Sequence, residues 1–322
     1  MKNKALCLLP VAFALALLAS CGYSESKTQI GVLQFGSFQA LEEAKRGFVE
    51  TLNASIFKDK VEIDVQNPES DSATNASMAS TLASKSDLVF GIATPSAVAL
   101  KTAVDSFGSN IPVLFSAVTN PVGANLVNSL ESSGNNVTGV TDLGDIAKGL
   151  SILEQFNVDN VVSFFTSTET NSVYQASIAE KWMDAKGWEH SRKTITSASE
   201  ISLALASIPG SVDAVFLPTD DTIANSIAMV KAANESRANP LVIFGCDVGM
   251  IGGVTFALGV DYFECGVQAG EQAIEILNGK KPSEIAVESC DKSAISINKT
   301  GAESLGIAIP ESVLAIEGAE IQ

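Results

Sequence analysis

Short apolar, β-branched runs alternate with helix-favouring stretches along the whole chain, and the pattern of the first half returns in the second. Ile30–Phe35, Val61–Val65, Asp87–Ile92 and Pro112–Ala117 have strand length and little polar alternation, as strands do when a parallel sheet is covered on both faces. Between them Ala40–Leu52, Ser72–Ser84 and Ser96–Phe107 have helical spacing. This alternation predicts a doubly wound α/β sheet. After Asp142–Gly149 the plan recurs, with a strand over Asp159–Phe165, a helix over Asn171–Lys186 stopped by Gly187, and strands at Arg192–Ile195, Ala214–Leu217 and Leu241–Phe244. The echo reaches single residues. Ser86-Asp87-Leu88-Val89-Phe90 returns as Val212-Asp213-Ala214-Val215-Phe216, and Ile111-Pro112-Val113-Leu114-Phe115 as Asn239-Pro240-Leu241-Val242-Ile243, at nearly equal spacing. Chance supplies one such match readily. Two in order predict two similar Rossmann-like lobes, with Asp142–Gly149 as the first hinge.

The N-terminus constrains location. Lys2 and Lys4 precede an apolar run from Ala5 to Leu18, closed by Leu18-Ala19-Ser20-Cys21. A basic start, a run short for a bilayer span and small residues before a cysteine compose an export signal. The Leu-Ala-Ser-Cys ending resembles the bacterial lipobox, which implies that residues 1–20 are removed and Cys21 is acylated. An ordinary secretory peptide or an uncleaved anchor is the plainer alternative. No later segment is apolar for long enough to span a membrane, so lipid is the expected anchor.

The 322 residues carry a formal net charge of −17. Phosphate contacts need clustered Lys and Arg, so nucleic acid is not an expected partner. The length exceeds the usual single core, which again favours two lobes. If Cys21 carries lipid, Cys246, Cys265 and Cys290 remain, an odd number. A disulfide from Cys246 or Cys265 to Cys290 and a free thiol at each position are equally open.

In open α/β sheets, ligands meet the carboxyl ends of the strands, where helix N-termini present free N–H groups. The loop Gln34-Phe35-Gly36-Ser37-Phe38-Gln39 sets aromatic rings beside a flexible glycine, and Phe35 or Phe38 could stack on an apolar ligand. In Ala93-Thr94-Pro95-Ser96-Ala97, Thr94 suits an N-cap, Pro95 the first helical position, and Ser96 adds a hydroxyl. Plain capping accounts for these residues as well as a carboxylate cradle does. Thr119-Asn120-Pro121 with Gly123 marks a turn in which Thr119 could donate to a ligand oxygen. In the second half, Asp220 and Asp221 occupy the place of Thr94, where helix capping accounts for either as well as ligand contact does, and Asp247 follows a buried strand with no helix evident for it to cap. Thr94, Ser96 and Thr119 are thus expected to hold a carboxylate, and Asp247, with Asp220, an ammonium. Tyr262 and Phe263, beside the expected return crossing, are weaker candidates.

Catalytic patterns are sparse. His190, the single histidine, falls in a polar connection with no nucleophile pattern around it. There is no phosphate-binding loop and no metal-ligand spacing, so no metal or cofactor is expected and binding is favoured over catalysis.

Several strings resemble one family, the ABC-transporter substrate-binding lipoproteins whose better-known members take up tryptophan and related aromatic amino acids. They are Ile30-Gly31-Val32-Leu33-Gln34-Phe35, Phe115-Ser116-Ala117-Val118-Thr119-Asn120-Pro121-Val122-Gly123 and Asn136-Val137-Thr138-Gly139-Val140. Pro218-Thr219-Asp220-Asp221-Thr222, Gly259-Val260-Asp261-Tyr262 and Ile297-Asn298 continue the match, from about Gln29 to Pro310. The resemblance implies a type I periplasmic-binding fold: two lobes, three crossovers and an interlobe ligand cleft. Residues 1–20 would be signal peptide and 21–28 tether. Residues 29–141 with 260–290 would form one lobe, and 142–259 with 291–322 the other. A membrane permease and an ATPase are the implied partners, and a monomer is expected. Ser37-Phe38-Gln39 stands where many relatives have an acidic residue, histidine and proline, Asn120 replaces a common aspartate, and Asp221 a common asparagine. The ligand expected is an apolar amino acid, aromatic ahead of branched aliphatic. A nucleoside, sugar or small peptide in the same fold is the alternative, as is a sensory lipoprotein.

Overall fold

The computed structural model describes residues 26–322. The expected signal peptide, Cys21 and most of the expected tether lie outside the described residues. Two mostly parallel sheets form. The first contains β1 (Thr28–Gln34), β2 (Val61–Gln66), β3 (Leu88–Ile92), β4 (Val113–Ser116), β5 (Val137–Thr141) and, from late in the chain, β11 (Glu288–Ser289). The second contains β6 (Asn160–Thr166), β7 (Glu189–Ile195), β8 (Ala214–Leu217), β9 (Val242–Gly245), β10 (Phe256–Val260), β12 (Ser293–Ile297) and β13 (Glu320–Ile321). Their orders are β11-β5-β4-β3-β1-β2 and β13-β12-β10-β9-β8-β6-β7. The core of each sheet therefore repeats one arrangement, with only β12 antiparallel to its neighbour β10. This is the doubly wound α/β plan expected from the sequence.

The internal echo has a physical cause. Asp87 Oδ2 accepts the backbone N–H of Gln29 at 2.8 Å, and Asp213 Oδ2 accepts that of Asn160 at 3.1 Å. Each aspartate enters its own strand while its carboxylate satisfies the strand beside it. Its backbone N–H also donates to the carbonyl of that same partner residue.

Helices cover both faces of each sheet. In the first lobe α1 (Gln39–Ala54), α2 (Ser72–Lys85) and α3 (Thr94–Ser106) follow the strands. One apolar cluster joins Phe48 and Leu52 of α1 to Ile30, Val32 and Phe90. A second joins Leu82 and Leu100 to Leu33, Val89 and Phe115. Adjacent strand residues point to opposite faces, so the runs Val32-Leu33 and Val89-Phe90 feed both clusters. The second lobe carries α4 (Ile146–Glu154), α5 (Thr170–Lys186), α6 (Ile201–Ala206), α7 (Asp221–Asn225) and α8 (Ile227–Glu235), again with an apolar cluster on each face. Gly187 ends α5 at φ 74, the left-handed conformation that a glycine stop provides. The helix α9 (Tyr262–Leu277) returns to pack on α1, so closely that a side chain at Gly47 or Gly266 would run into the facing backbone.

The chain passes between the sheets three times: after β5, after β10, and between β11 and β12. The first crossing is shorter than Asp142–Gly149, because Asp145 caps α4 from Ile146 onward. The crossings are bonded to one another. Asp261 N–H donates to the Lys292 carbonyl at 2.8 Å and Cys290 N–H to that of Thr141 at 3.0 Å. Tyr262 Oη donates to Asp142 Oδ2 at 3.1 Å. Cys265 and Cys290 form a disulfide, and Cys246 is a buried free thiol. Among the described residues no helix is long and apolar enough to cross a membrane.

Candidate functional site

The carboxyl ends of both sheets face each other across a cleft. Its inner compartment, a tight space of about 30 Å³, takes Phe38, Ala93, Thr94 and Thr119 from the first lobe and Asn171, Asp221 and Asp247 from the second. Asp142 and Tyr262 close it at the crossings. A vestibule of about 570 Å³ opens outward past Phe35, Phe38, Val98 and Glu169. A side groove of about 310 Å³ passes Asn120, Ala124 and Tyr174. Thr94 and Asn171 border all three spaces, facing each other from opposite lobes.

The first-lobe wall is built largely by backbone. Ala93, at the end of β3, has φ 78, and Ala117, at the end of β4, has φ 55. Non-glycine residues avoid such angles, and holding them costs about 1–3 kcal/mol each. Both residues line the inner compartment. The bend at Ala93 makes it the N-cap of α3, one residue earlier than the sequence indicates, so Thr94 is the first helical residue and Pro95 the second. The backbone N–H groups of Thr94 and Ser96 make no hydrogen bond within the described residues. They point with the positive end of the helix dipole.

Other first-lobe candidates serve the loop rather than the cleft. Ser96 is fully buried and its hydroxyl donates to Asn75 Oδ1 at 3.0 Å. Gln34 Nε2 donates to the Gly36 carbonyl at 2.8 Å and to Glu42 Oε1 at 2.6 Å. Ser37 is exposed, donating to Glu69 and accepting from Asn67. Asn120 Oδ1 caps its own turn through Gly123 N–H and borders only the side groove. Phe35 is mostly core, with an edge on the vestibule. Phe38 borders both inner compartment and vestibule, and Gly36 lets it lie there: a Cβ at Gly36 would sit 2.6 Å from Phe38 Cε2.

The second-lobe wall and the crossing beside it are acidic. Asp142 is 4 % exposed; its Oδ2 accepts from Tyr262, while Oδ1 has no partner. Burial raises its pKa, against the hydroxyls of Thr119 and Tyr262. Asp247 was expected to be free of capping duty. Instead its Oδ1 accepts from Gly249 N–H at 2.8 Å, capping the 3₁₀ turn Val248–Gly253. Burial still pushes it up to about 6, with Asp142 adding to the effect. Asp220 is wholly structural in its contacts. It accepts from Thr166 N–H at 2.7 Å, Thr166 Oγ1 at 3.0 Å and Ile223 N–H at 3.0 Å. Asp220 and its neighbour Asp221 both line the inner compartment, but the Asp221 carboxylate carries none of these bonds. Its pKa lies well above the usual carboxylate range through burial and repulsion from Glu169, Asp220, Asp142 and Asp247. Glu169 accepts from the Asp221 and Thr222 N–H groups and is pushed up to about 7 by burial and by Asp220. None of these acids has a Lys, Arg or His partner among the described residues.

Gln175, absent from the sequence candidates, bridges the lobes. Its Nε2 reaches Thr119 Oγ1 at 3.4 Å and Thr219 Oγ1 at 3.1 Å, and its Oε1 accepts from Thr219 N–H at 2.9 Å. Glu169 and Asn171 were also absent. They follow β6, the counterpart of β1, so the strand-end rule applied there would have found them.

Two doubly wound lobes, three bonded crossings and a cleft lined from both sides define a two-lobed solute receptor of the type I periplasmic-binding fold. Residues 29–320 match the family described as ABC transporter substrate binding protein, and the chain belongs to that family. A tyrosine-binding protein of Clostridioides difficile (strain R20291) is 35% identical over 289 residues, covering 88% of this chain and 82% of the relative. The structure resembles an ABC domain from Streptococcus pneumoniae in complex with L-Trp (TM-score 0.82, 32% identity, 91% of this chain and 100% of that one). It also resembles the ligand-free, open structure of a substrate-binding protein with adhesive properties from Clostridium difficile (TM-score 0.73, 32% identity, 92% and 99%).

Proposed function

We propose that the cleft captures an apolar amino acid, aromatic ahead of branched aliphatic, for delivery to an ABC permease and its ATPase. The observation that carries this reading is the pairing of an acidic wall with a neutral, donor-rich wall across one compartment. The ammonium would lie against Asp142, Asp221 and Asp247. The carboxylate would take the Thr94 and Ser96 N–H groups and the hydroxyls of Thr94 and Thr119. Phe38 then faces the ligand side chain, where ring stacking adds about 0.5–1.5 kcal/mol beyond burial. The named ligands of the tyrosine-binding relative and of the L-Trp complex support the aromatic preference. An acidic amino acid would bury a further carboxylate beside Glu169 and Asp221, which line the vestibule without a cation. A thermal-shift screen of the twenty amino acids, nucleosides and sugars, followed by calorimetry, tests the reading. Stabilisation by a sugar or nucleoside alone would overturn it.

We further propose that Cys21 carries lipid and tethers a monomer outside the cytoplasm, close to its permease. The two moving units would be residues 29–141 with 260–290, and 142–259 with 291–322. A Cys21→Ala protein should appear in the soluble fraction or as unprocessed precursor; normal cleavage with unchanged membrane retention would count against acylation.

A further inference from the structure

The cleft holds several carboxylates and no cation. Asp142, Asp220, Asp221 and Asp247 line its inner compartment, and Glu169 the vestibule. No Lys, Arg or His lines either space or the side groove. An acidic lining alone would not identify a ligand. A second observation does: Asp142 Oδ1, buried and bordering the inner compartment, makes no hydrogen bond, the nearby Thr119 hydroxyl standing out of bonding range. A buried acceptor in this state calls for a donor from the ligand, and a cationic donor answers it best.

The provision for a ligand carboxylate is weaker. Only neutral donors are in reach, and Pro95 at the second helical position removes one of the N–H groups that a helix start normally offers. The Ser96 hydroxyl, a further donor in principle, is committed to Asn75. A zwitterion therefore places a carboxylate among carboxylates with no cation to balance it, whereas its ammonium meets several acids at once.

Building on the amino-acid reading above, we infer that the ammonium is the obligatory group and the carboxylate is dispensable. The cleft then accepts a second ligand class, primary arylalkylamines, in which an aromatic ring is joined to an ammonium by a short alkyl chain. The ring occupies the place of the amino-acid side chain at Phe38, and the ammonium meets Asp142.

The test is calorimetry on the purified protein, freed of retained ligand, with L-tyrosine, L-tryptophan, tyramine, tryptamine and 3-(4-hydroxyphenyl)propanoate at pH 7.5. At least one amine should bind within about 30-fold of its parent amino acid, and the deaminated acid should show no saturable binding. Thr94→Val should weaken the amino acid about fivefold more than the amine, while Asp142→Asn weakens both. Amines weaker than that 30-fold limit, or a deaminated acid that binds as well as the amino acid, overturn the inference and leave the amino-acid receptor standing. Failure of every amino acid and amine to bind overturns both readings, and that outcome is told apart by the absence of any amino-acid titration.

Discussion

The two walls of the cleft come from lobes with the same strand order, yet they present opposite chemistry by different means. The first-lobe wall is shaped by backbone: left-handed turns at Ala93 and Ala117, the open start of α3, and two threonines. The facing wall is made by side chains, the carboxylates of Asp221, Asp247 and Glu169 from the second lobe and of Asp142 from the crossing beside it. A shared scaffold thus fixes where the loops sit, and each loop is free to decide what it offers. Charge-removing substitutions should accordingly act on ligand binding through the second wall, and substitutions at the left-handed turns on chain conformation through the first.

The largest effect is expected at Asp142. Asp142→Asn keeps the shape and removes the charge beside the unpartnered oxygen, and binding should weaken about 30-fold or more, the scale for a buried charged partner. Calorimetry giving a near-unchanged Kd in folded protein would dissolve the contrast between the walls. Asp220→Ala sharpens it within the acidic wall. It leaves the Thr166 and Ile223 N–H groups without acceptors, each about 1–3 kcal/mol of stability. Denaturant unfolding should show that loss, while the folded protein keeps most of its affinity; the reverse pattern would make Asp220 a ligand contact.

Acidity acts next. Glu169 at about 7 and Asp247 at about 6 hold protons that the unfolded chain has released at the same pH. Their contribution to stability is complete below the unfolded values near pH 4 and is lost as pH rises through 6 and 7. An ammonium beside Asp247 lowers its value, so the ligand-induced rise in Tm should be larger at pH 8 than at pH 5. Equal rises across that range would separate this acid from the ligand. The smallest effect falls on the backbone wall. Ala93→Gly relieves the strain at φ 78, and after the greater freedom of glycine in the unfolded chain about 1 kcal/mol of stabilisation should remain. A destabilised Ala93→Gly protein would argue that the turn is unstrained.

Much of the architecture is legible in the chain because parallel strands are apolar throughout and their order repeats. The site is less so, for reasons visible in single residues. Thr94-Pro95 fits an N-cap pattern, but the turn at Ala93 moves the helix start forward, which no side chain advertises. Asp142 lies in a crossing and reads as hinge; only Tyr262, far along the chain, turns it toward the cleft. Asp220 and Asp221 are adjacent and chemically alike, and their division into support and site depends on Thr166 and Glu169 from another strand end. Cys290 pairs with Cys265 rather than Cys246 because both flank crossings that run side by side.

Those crossings also govern how the receptor can move. A panel hung on three separate straps can twist as well as swing, but straps fastened to each other behave as one leaf of a door. The Cys265–Cys290 link and the backbone bonds from Asp261 and Cys290 fasten them here. Swinging is left as the easy motion, and a shutting about this hinge would bring Gln175 to Thr119 in the same alignment. Reduction would remove one fastener of several, leaving a door that still shuts but rattles.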